Sequence, residues 1–398
     1  MEEKIISIVD LGTNSLKCSI YQRNENEEYS LVGFSKKKTE GIHNSIIVNF
    51  QKATDSLRTC VGEAEKKSKI NIKKINVIID LKETITTKLS KFKKIDGSKI
   101  EKSDISFLLR EAKKEIEKNN NKLSQIHIFN YKYIVDDNIY KDLPIEIYAN
   151  QLCIENIFVS VPKNYLKNII KVFNSCDLEI GRFILSPYAS GVSCFLESQI
   201  EQGCGLIDFG YEKTSLAIFK NNSLFQTFNF PIGSNHITKD IMRGCYLSEK
   251  ESEQIKKNNK LFEILDEKEF LNENFFIDTK YKKISNKFLK EIILSRLKEI
   301  LNKIFEEIDK LNFKDSIKRN LFFVGEGSNI CELEKFLIED YKVTNPKLSI
   351  YDNDSEFISC NGALKILTKG FTSEAVPVPK NLDNSKKGFF SKIFNIFD

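Results

Sequence analysis

Two stretches of this chain are built alike. Residues 8–22 read IVDLGTNSLKCSIYQ and residues 206–220 read LIDFGYEKTSLAIFK. Each places an apolar run before Asp-x-Gly and an alternating, strand-like run after it. Asp10 and Asp208 stand about half the chain's 398 residues apart. A strand–turn–strand repeated at that distance implies a duplicated α/β unit, with the two turns facing each other across a cleft. A third turn, FVGEGSN at 323–329, follows a buried strand late in the chain.

Between these landmarks the pattern alternates. ATDSLRTCVGEAEKKSKI (53–70) has helical periodicity and leads into the strand INVIID at 75–80. SDISFLLREAKKEIEKNNN, from 103, reads as a second helix with Ser103 as its N-cap. Residues 125–162 are rich in β-formers and return to a strand, ENIFVSVP, before the helix NYLKNIIKVFNSCDL. SEKESEQIKKNN and SNKFLKEIILSRLKEILNKIFEEIDKL are helical in the second half. The division that follows is 1–81 with 156–200 as one half, 82–155 as a small α+β insertion, and 201–369 as the other half, with 239–312 its helical part. Residues 370–385, holding Pro377 and Pro379 without apolar periodicity, read as a tether to a last segment, 386–398.

With 41% hydrophobic residues the chain can bury a large core. Its 61 basic and 56 acidic residues leave a net charge of +5, too small for this size to make a general case for nucleic acid, and none is expected as a partner. Nine cysteines lack any CxxC pair, and the start MEEKIISIVD lacks the cationic region and long apolar stretch of a secretory signal, so a reduced, cytosolic chain is expected. His43, His127 and His236 lie too far apart in sequence to suggest zinc. No apolar run approaches the about 18 residues that span a bilayer.

A hairpin turn Asp-x-Gly-Thr offers phosphate oxygens close backbone N–H groups, hydroxyls from Thr13 and Ser15, and a carboxylate for a hydrated divalent ion. One such turn is an everyday turn former. Two at half-chain distance, with a third late in the chain, can enclose one nucleotide.

This constellation resembles the actin/sugar kinase/chaperone ATPase superfamily, with a first phosphate loop at 10–17, a second at 208–214 and an adenosine loop at 324–329. Further stretches resemble the bacterial cell-division family FtsA: EGIHNSIIVNFQKATDSLRTCVGEAE at 40–65, HIFNYKYIVDD at 127–137, FPIGSNHITKDI at 230–241, SEQIK at 252–256 and EIILSRLKEIL at 291–301. The resemblance implies a duplicated actin-like (ribonuclease H-like) α/β fold, two halves around a nucleotide cleft, an FtsA-type inserted subdomain at 82–155 and a C-terminal amphipathic helix. It implies ATP with Mg2+, held by Asp10 and Asp208 through water, with Gly12, Thr13, Asn14, Ser15, Lys17, Gly210 and Thr214 around the phosphates. Glu253 and Lys256 would meet the nucleoside, with Gly325, Gly327 and Ser328 beside it. Lys290, Arg296 and Glu299 match the family's positions for the C-terminal peptide of the tubulin-like FtsZ. Self-association into filaments, recruitment of other division proteins and a place on the cytoplasmic face of the inner membrane at the division site follow from the same resemblance.

The chain departs from the family pattern in places. Tyr211 and Glu212 follow Gly210 where a second glycine is expected, and Glu326 stands inside the adenosine loop. The lysine common five residues after the first Asp is Ser15, with Lys17 two further along on the same strand face. Ser186, opening SPYASGV, stands where many relatives have an acid, so no base for a water molecule is evident, and binding with slow or no turnover is expected. Three other readings stay open: a small-molecule kinase of the same superfamily, a pilus-assembly scaffold sharing the insertion, and a degenerate fold that binds no nucleotide. Glu253 and Lys256 can also be a plain i,i+3 ion pair, and the charges of 290–299 a solvated helix face.

The last segment, KKGFFSKIFNIFD, separates the pilus-type scaffold from the membrane reading, while the kinase reading lacks a clear acid for its catalytic carboxylate. At about 100° per residue, Phe389, Phe390, Ile393, Phe394, Ile396 and Phe397 fall within an arc of about 160°. About 15 Å of helix is too short to cross a bilayer. An interfacial helix is expected, its rings in the acyl boundary and Lys386, Lys387 and Lys392 near anionic head groups.

Overall fold

The computed structural model describes residues 4–12, 14–43, 46–257, 270–330, 333–348, 357–370 and 373–375. Thr13 and the whole of 386–398, with every residue assigned to membrane contact, lie outside these, as do most of 370–385. The chain divides into two compact units. The first takes residues 1–202, 217–227 and 357–398, the second 203–216 and 228–356.

The first unit is built on a five-stranded sheet. Its strands are β1 (Ile5–Leu11), β2 (Ser15–Arg23), β3 (Tyr29–Lys38), β6 (Lys74–Ile79) and β11 (Glu179–Leu185), in the order β11-β6-β1-β2-β3. A two-residue pair, β4 (Ile42–His43) and β5 (Ile46–Ile47), stands apart from it. β1 is central, and Ile6, Ile8, Val9 and Leu11 are all buried, as a strand covered on both faces requires. It pairs antiparallel with β2 and parallel with β6, and β6 pairs parallel with β11. Helix α1 (Phe50–Ser68) packs on β2 and β3; the Asn49 side chain accepts the Lys52 N–H at 3.0 Å and caps it.

The insertion forms its own sheet, β7 (Ile85–Lys99), β10 (Tyr148–Pro162), β8 (Leu123–Val135) and β9 (Asn138–Tyr140), in the order β7-β10-β8-β9. Helix α2 (Lys102–Asn119) covers one face, burying Ile105, Leu108, Leu109, Ala112 and Ile116 with Tyr133, Val135, Leu152 and Ile154. The cap of α2 differs from expectation. Asp104 Oδ2 accepts the Glu101 N–H at 2.7 Å, so the helix starts ahead of Ser103, whose hydroxyl donates to Glu101 instead. The boundary drawn at 155 also falls inside β10, which pairs with both β7 and β8 from Leu152 through Ser160. Only a register shift against β8 between Glu155 and Asn156 marks the boundary.

Helix α3 (Lys163–Asn174) returns the chain to β11, and α4 (Ser186–Cys194) and α5 (Glu197–Gln202) lead out of the sheet. The second sheet comprises β12 (Cys204–Phe209), β13 (Thr214–Lys220), β14 (Ser223–Phe230), β15 (Leu321–Val324) and β16 (Lys347–Leu348), ordered β14-β13-β12-β15-β16. Place for place this is β3-β2-β1-β6-β11 again: a three-strand meander, then two parallel strands. The duplication expected from the two Asp-x-Gly turns is thus present at the level of sheet order. Helices α6 (Ser234–Cys245), α7 (Glu249–Lys257), α8 (Asn286–Asp309), α9 (Lys314–Arg319) and α10 (Leu333–Glu339) complete the second unit.

The last described helix, α11 (Ile358–Lys369), was assigned to the second half from sequence but groups with the first unit, packed on α4 and β1. Gly362 explains the approach. A Cβ there would lie 1.7 Å from the Ala189 carbonyl oxygen of α4, a contact with backbone that no side-chain rotation relieves. Gly362→Leu should therefore destabilise the first unit by about 3 kcal/mol, the upper range for overpacking. Thermal unfolding of purified variant and parent would register this as a lowered Tm, and an unchanged Tm would contradict the packing.

Candidate functional site

In the first unit the turn joining β1 to β2 carries the first group of site residues. Asp10 and Lys17 are cross-strand neighbours in the antiparallel ladder, so carboxylate and ammonium start from adjacent positions above the turn. Gly12 permits the turn's tightness, since a Cβ would meet the Ser15 carbonyl oxygen at 2.5 Å. Thr39, which follows β3, braces the turn: its hydroxyl donates to the Gly12 carbonyl at 2.8 Å and its N–H to the Asn14 carbonyl at 3.1 Å. From the first turn of α11, the Ser359 hydroxyl donates to Asp10 Oδ2 at 2.7 Å. Cys360, next to it, is buried, and burial, with the Asp10 carboxylate adding, pushes its thiol up to about 12. Asp10, Gly12, Asn14, Ser15 and Lys17 therefore share one turn. Thr39 and Ser359 were not singled out from sequence; they lie far from the motif along the chain.

In the second unit, parallel pairing sets Asp208 beside Val324 and so brings the second phosphate loop against the adenosine loop. The fit is close. Gly325, at φ +89°, would carry a Cβ 2.7 Å from Asp208 Oδ1 and 2.6 Å from the Phe209 carbonyl oxygen. A Cβ on Gly327 would fall 2.5 Å from the Phe209 ring. Ser328 is buried and its hydroxyl donates to the Gly325 carbonyl at 2.7 Å. Asp208, Gly210, Gly325, Gly327 and Ser328 are thus brought together. Thr214 is fully buried and donates to the Ile232 carbonyl at 2.8 Å, bracing the loop rather than presenting a hydroxyl outward.

The second loop rests on the start of α6. Ser234 and Asn235 donate their N–H groups to the Gly210 and Tyr211 carbonyls, at 2.9 and 2.8 Å. Gly233 makes room, since a Cβ there would meet the carbonyl oxygens of Gly210 and Tyr211 at 2.6 and 2.7 Å. The Tyr211 side chain is half-buried, and its hydroxyl reaches Glu249 at 3.3 Å; burial and that carboxylate push the phenol up to about 12.

Glu253 and Lys256 of α7 bind to α6. The Lys256 ammonium is buried and donates to the Ser234 carbonyl at 3.2 Å and the Thr238 hydroxyl at 2.9 Å, and it pairs with Glu253 at 2.7 Å. Thr238 in turn donates to Glu253 at 2.6 Å. Burial works against the Glu253 carboxylate, but Lys256 and Thr238 hold its pKa below the usual range. Arg296 of α8 makes a two-pronged contact with Asp240 of α6, at 2.5 and 3.1 Å, and reaches Glu299 of its own helix. Lys290 is half-buried and points about 120° around α8 from Arg296, so the three residues expected at the FtsZ peptide do not share one face.

Asp10 stands in the Asp-x-Gly turn of the first unit and Asp208 in that of the second, and among the described residues no three His, Cys, Asp or Glu side chains converge as a metal cage. Gly325 and Gly327 let the late loop close directly on Asp208 and the Phe209 ring.

Comparison with known proteins agrees with this geometry. The family model described as cell division protein FtsA matches residues 205–362. The cell division protein FtsA of Agrobacterium fabrum is 22% identical over 344 residues, 83% of this chain and 77% of that one. That of Streptococcus pneumoniae is 26% identical over 315 residues, 77% of this chain and 67% of that one, and that of Bacillus subtilis 23% over 316 residues, 77% and 70%. The chain is similar to cell division protein FtsA over most of its length. Among solved structures, the type IV pilus PilM–PilN complex superposes with a TM-score of 0.63 at 12% identity, covering 92% of this chain and 99% of that one. MreB5 of Spiroplasma citri bound to AMPPNP gives a TM-score of 0.55 at 15% identity, covering 92% and 96%. These likenesses establish the actin-like fold.

The helix that carries Glu253 and Lys256 is itself held by Glu251. This carboxylate is fully buried and accepts the N–H groups of Ile277, Asp278 and Thr279 at 2.7 to 2.9 Å and that of Ser248 at 2.8 Å. Burial alone would raise its pKa; the four backbone donors and the side-chain bonds hold it at about 2. A carboxylate depressed below its unfolded value of about 4.3 stabilises fully at neutral pH and loses that contribution as pH falls from about 5 toward 2. Glu251→Gln should lower Tm at pH 7 by several degrees, roughly, and flatten the fall of Tm between pH 5 and pH 3. Parallel acid slopes in variant and parent would refute it.

Proposed function

We propose that this chain is an FtsA-type protein that binds ATP with a hydrated magnesium ion, assembles into filaments on the inner face of the cytoplasmic membrane, and ties FtsZ filaments there, bringing other division proteins to the septum. The observation that carries the reading is the convergence, in an actin-like fold similar in sequence to FtsA, of the second phosphate loop with a glycine-lined adenosine loop at Asp208. Phosphates would meet backbone N–H groups of the two Asp-x-Gly turns, with Lys17 supplying a positive charge. Bound AMPPNP in MreB5, and the double helical filament of MamK, with which this chain shares a TM-score of 0.51 at 9% identity, lend the reading support by analogy of fold.

No helix among the described residues is long and apolar enough to cross a membrane. Membrane attachment in this reading is the work of 386–398, whose apolar arc and three lysines suit an interface. One short helix binds weakly, and a filament presents many in a row, so attachment and assembly reinforce each other. The PilM likeness favours a second reading, a pilus-type scaffold, which needs ATP or filament contacts but no membrane helix.

Two measurements test this. Calorimetry with Mg-ATP should detect binding to the parent protein and about tenfold or greater weakening in Asp10→Ala; absence of binding, or equal affinity in both, overturns the assignment of the loops. In flotation with anionic vesicles the full chain should rise with lipid, and a chain ending at Lys387 should stay behind while keeping its ATP affinity. Undiminished flotation of the shortened chain leaves the pilus-type reading standing and removes the anchor.

A further inference from the structure

Beyond α11 the chain returns to the inserted subdomain. Residues 373–375 lie antiparallel to β8: the Asn130 N–H donates to the Ser373 carbonyl and the Ala375 N–H to the Ile128 carbonyl, both at 2.7 Å, and Glu374 faces Phe129. β9 pairs with β8 only at Tyr133, Ile134 and Val135, so these three residues cover a length of strand edge that β9 leaves open. Ala375 is fully buried and belongs to the insertion's core cluster.

The Glu374 side chain goes inward. At 5% exposure its carboxylate meets three elements at once: His127 Nδ1 of β8 at 2.5 Å, the Arg182 guanidinium of β11, and the Tyr188 hydroxyl of α4 at 3.0 Å. His127 Nε2 accepts the Leu185 N–H at 3.0 Å, so its one proton sits on Nδ1 and is donated to Glu374. Burial, with Arg182 nearby, keeps this imidazole below its ordinary pKa although Glu374 opposes the shift. Removing Glu374 would leave the Arg182 charge buried without its counter-ion, a strongly unfavourable state. The network is also incomplete, because Arg182 Nε is buried with no hydrogen-bond partner among the described residues. A contact of two main-chain hydrogen bonds, the bond that the Ser373 hydroxyl donates to the Asn222 carbonyl, and one carboxylate is therefore strong in charge and short in length.

We propose that residues 373–375 form a latch, a short strand that docks the root of the C-terminal segment onto β8 through Glu374 and opens as a unit while the inserted sheet stays folded. Docked, it fixes the point on the inserted subdomain from which residues 376–398 depart; open, it releases that root and bares the edge of β8 at Ile128, Phe129 and Asn130. The consequence for membrane attachment rests on the anchor reading above. The latch itself does not.

Amide hydrogen exchange on the full chain tests it. In the parent protein the Ala375 and Asn130 amides should exchange by local opening, faster than core amides of β10 such as that of Phe158. Glu374→Gln should speed exchange of Ala375 and Asn130 at least tenfold and leave β10 unchanged. Tyr188→Phe, which removes one of the carboxylate's three partners and keeps the side chain's shape, should speed it a few-fold. If Glu374→Gln unfolds the unit, the parent and Tyr188→Phe still decide. Exchange of Ala375 as slow as that of β10, following global unfolding in every protein tested, overturns the latch. The readout needs no membrane, so failure of the latch is told apart from failure of the anchor in flotation.

Discussion

Parallel pairing of the first strand of each sheet with the strand that enters after its meander is the constraint from which the candidate site follows. In the second unit the ladder sets Asp208 level with Val324; in the first it sets Asp10 level with Ile78. Strands that run parallel end on the same edge, so the Asp-x-Gly turn after the first strand emerges beside the loop after its neighbour. A shift of one residue would reverse the faces of β15 and carry Gly325 away from Asp208.

Local signals made the turns and the sheets legible in sequence. Asp-x-Gly is a turn former, and the apolar and alternating runs around it are the strand's own period, so the duplication could be read without knowing any contact. What escaped is nonlocal. Thr39 and Ser359 act on the first turn only because β3 and α11 are folded over it. Gly362 looks like any glycine in a helix until the Ala189 carbonyl stands beside it, and that contact moves α11 to the first unit. The cap of α2 was a contest between neighbours: Ser103 has the better reputation, but Asp104 closes on the Glu101 N–H and is itself held by Lys93 at 2.5 Å. Glu374 carried no motif at all, and its meaning comes from three elements that converge on it.

Charged residues expected at ligands turn out to fasten helices together. Lys256 and Glu253 join α7 to α6 through Thr238 and the Ser234 carbonyl, Arg296 joins α8 to α6 through Asp240, and Glu251 ties α7 to the backbone at 277–279. A nucleoside that engaged Glu253 would have to share it with Lys256 and Thr238, and breaking such a buried pair by removing one partner is more costly than the pair is worth. The same logic bears on Arg296, where any acidic peptide competes with a carboxylate already gripped at two nitrogen atoms.

The second loop of the second unit is held in shape by backbone. The N–H groups at the start of α6 are spent on the carbonyls of Gly210 and Tyr211, which holds the second loop in shape without reaching a ligand. Gly233, Gly325 and Gly327 then set how closely loop, helix and adenosine turn approach one another, each within a distance that a single methyl group would violate. Tyr211, next to Gly210, extends that edge: its ring is half-buried and its hydroxyl is anchored on Glu249, so an aromatic ring is held in place beside the loop.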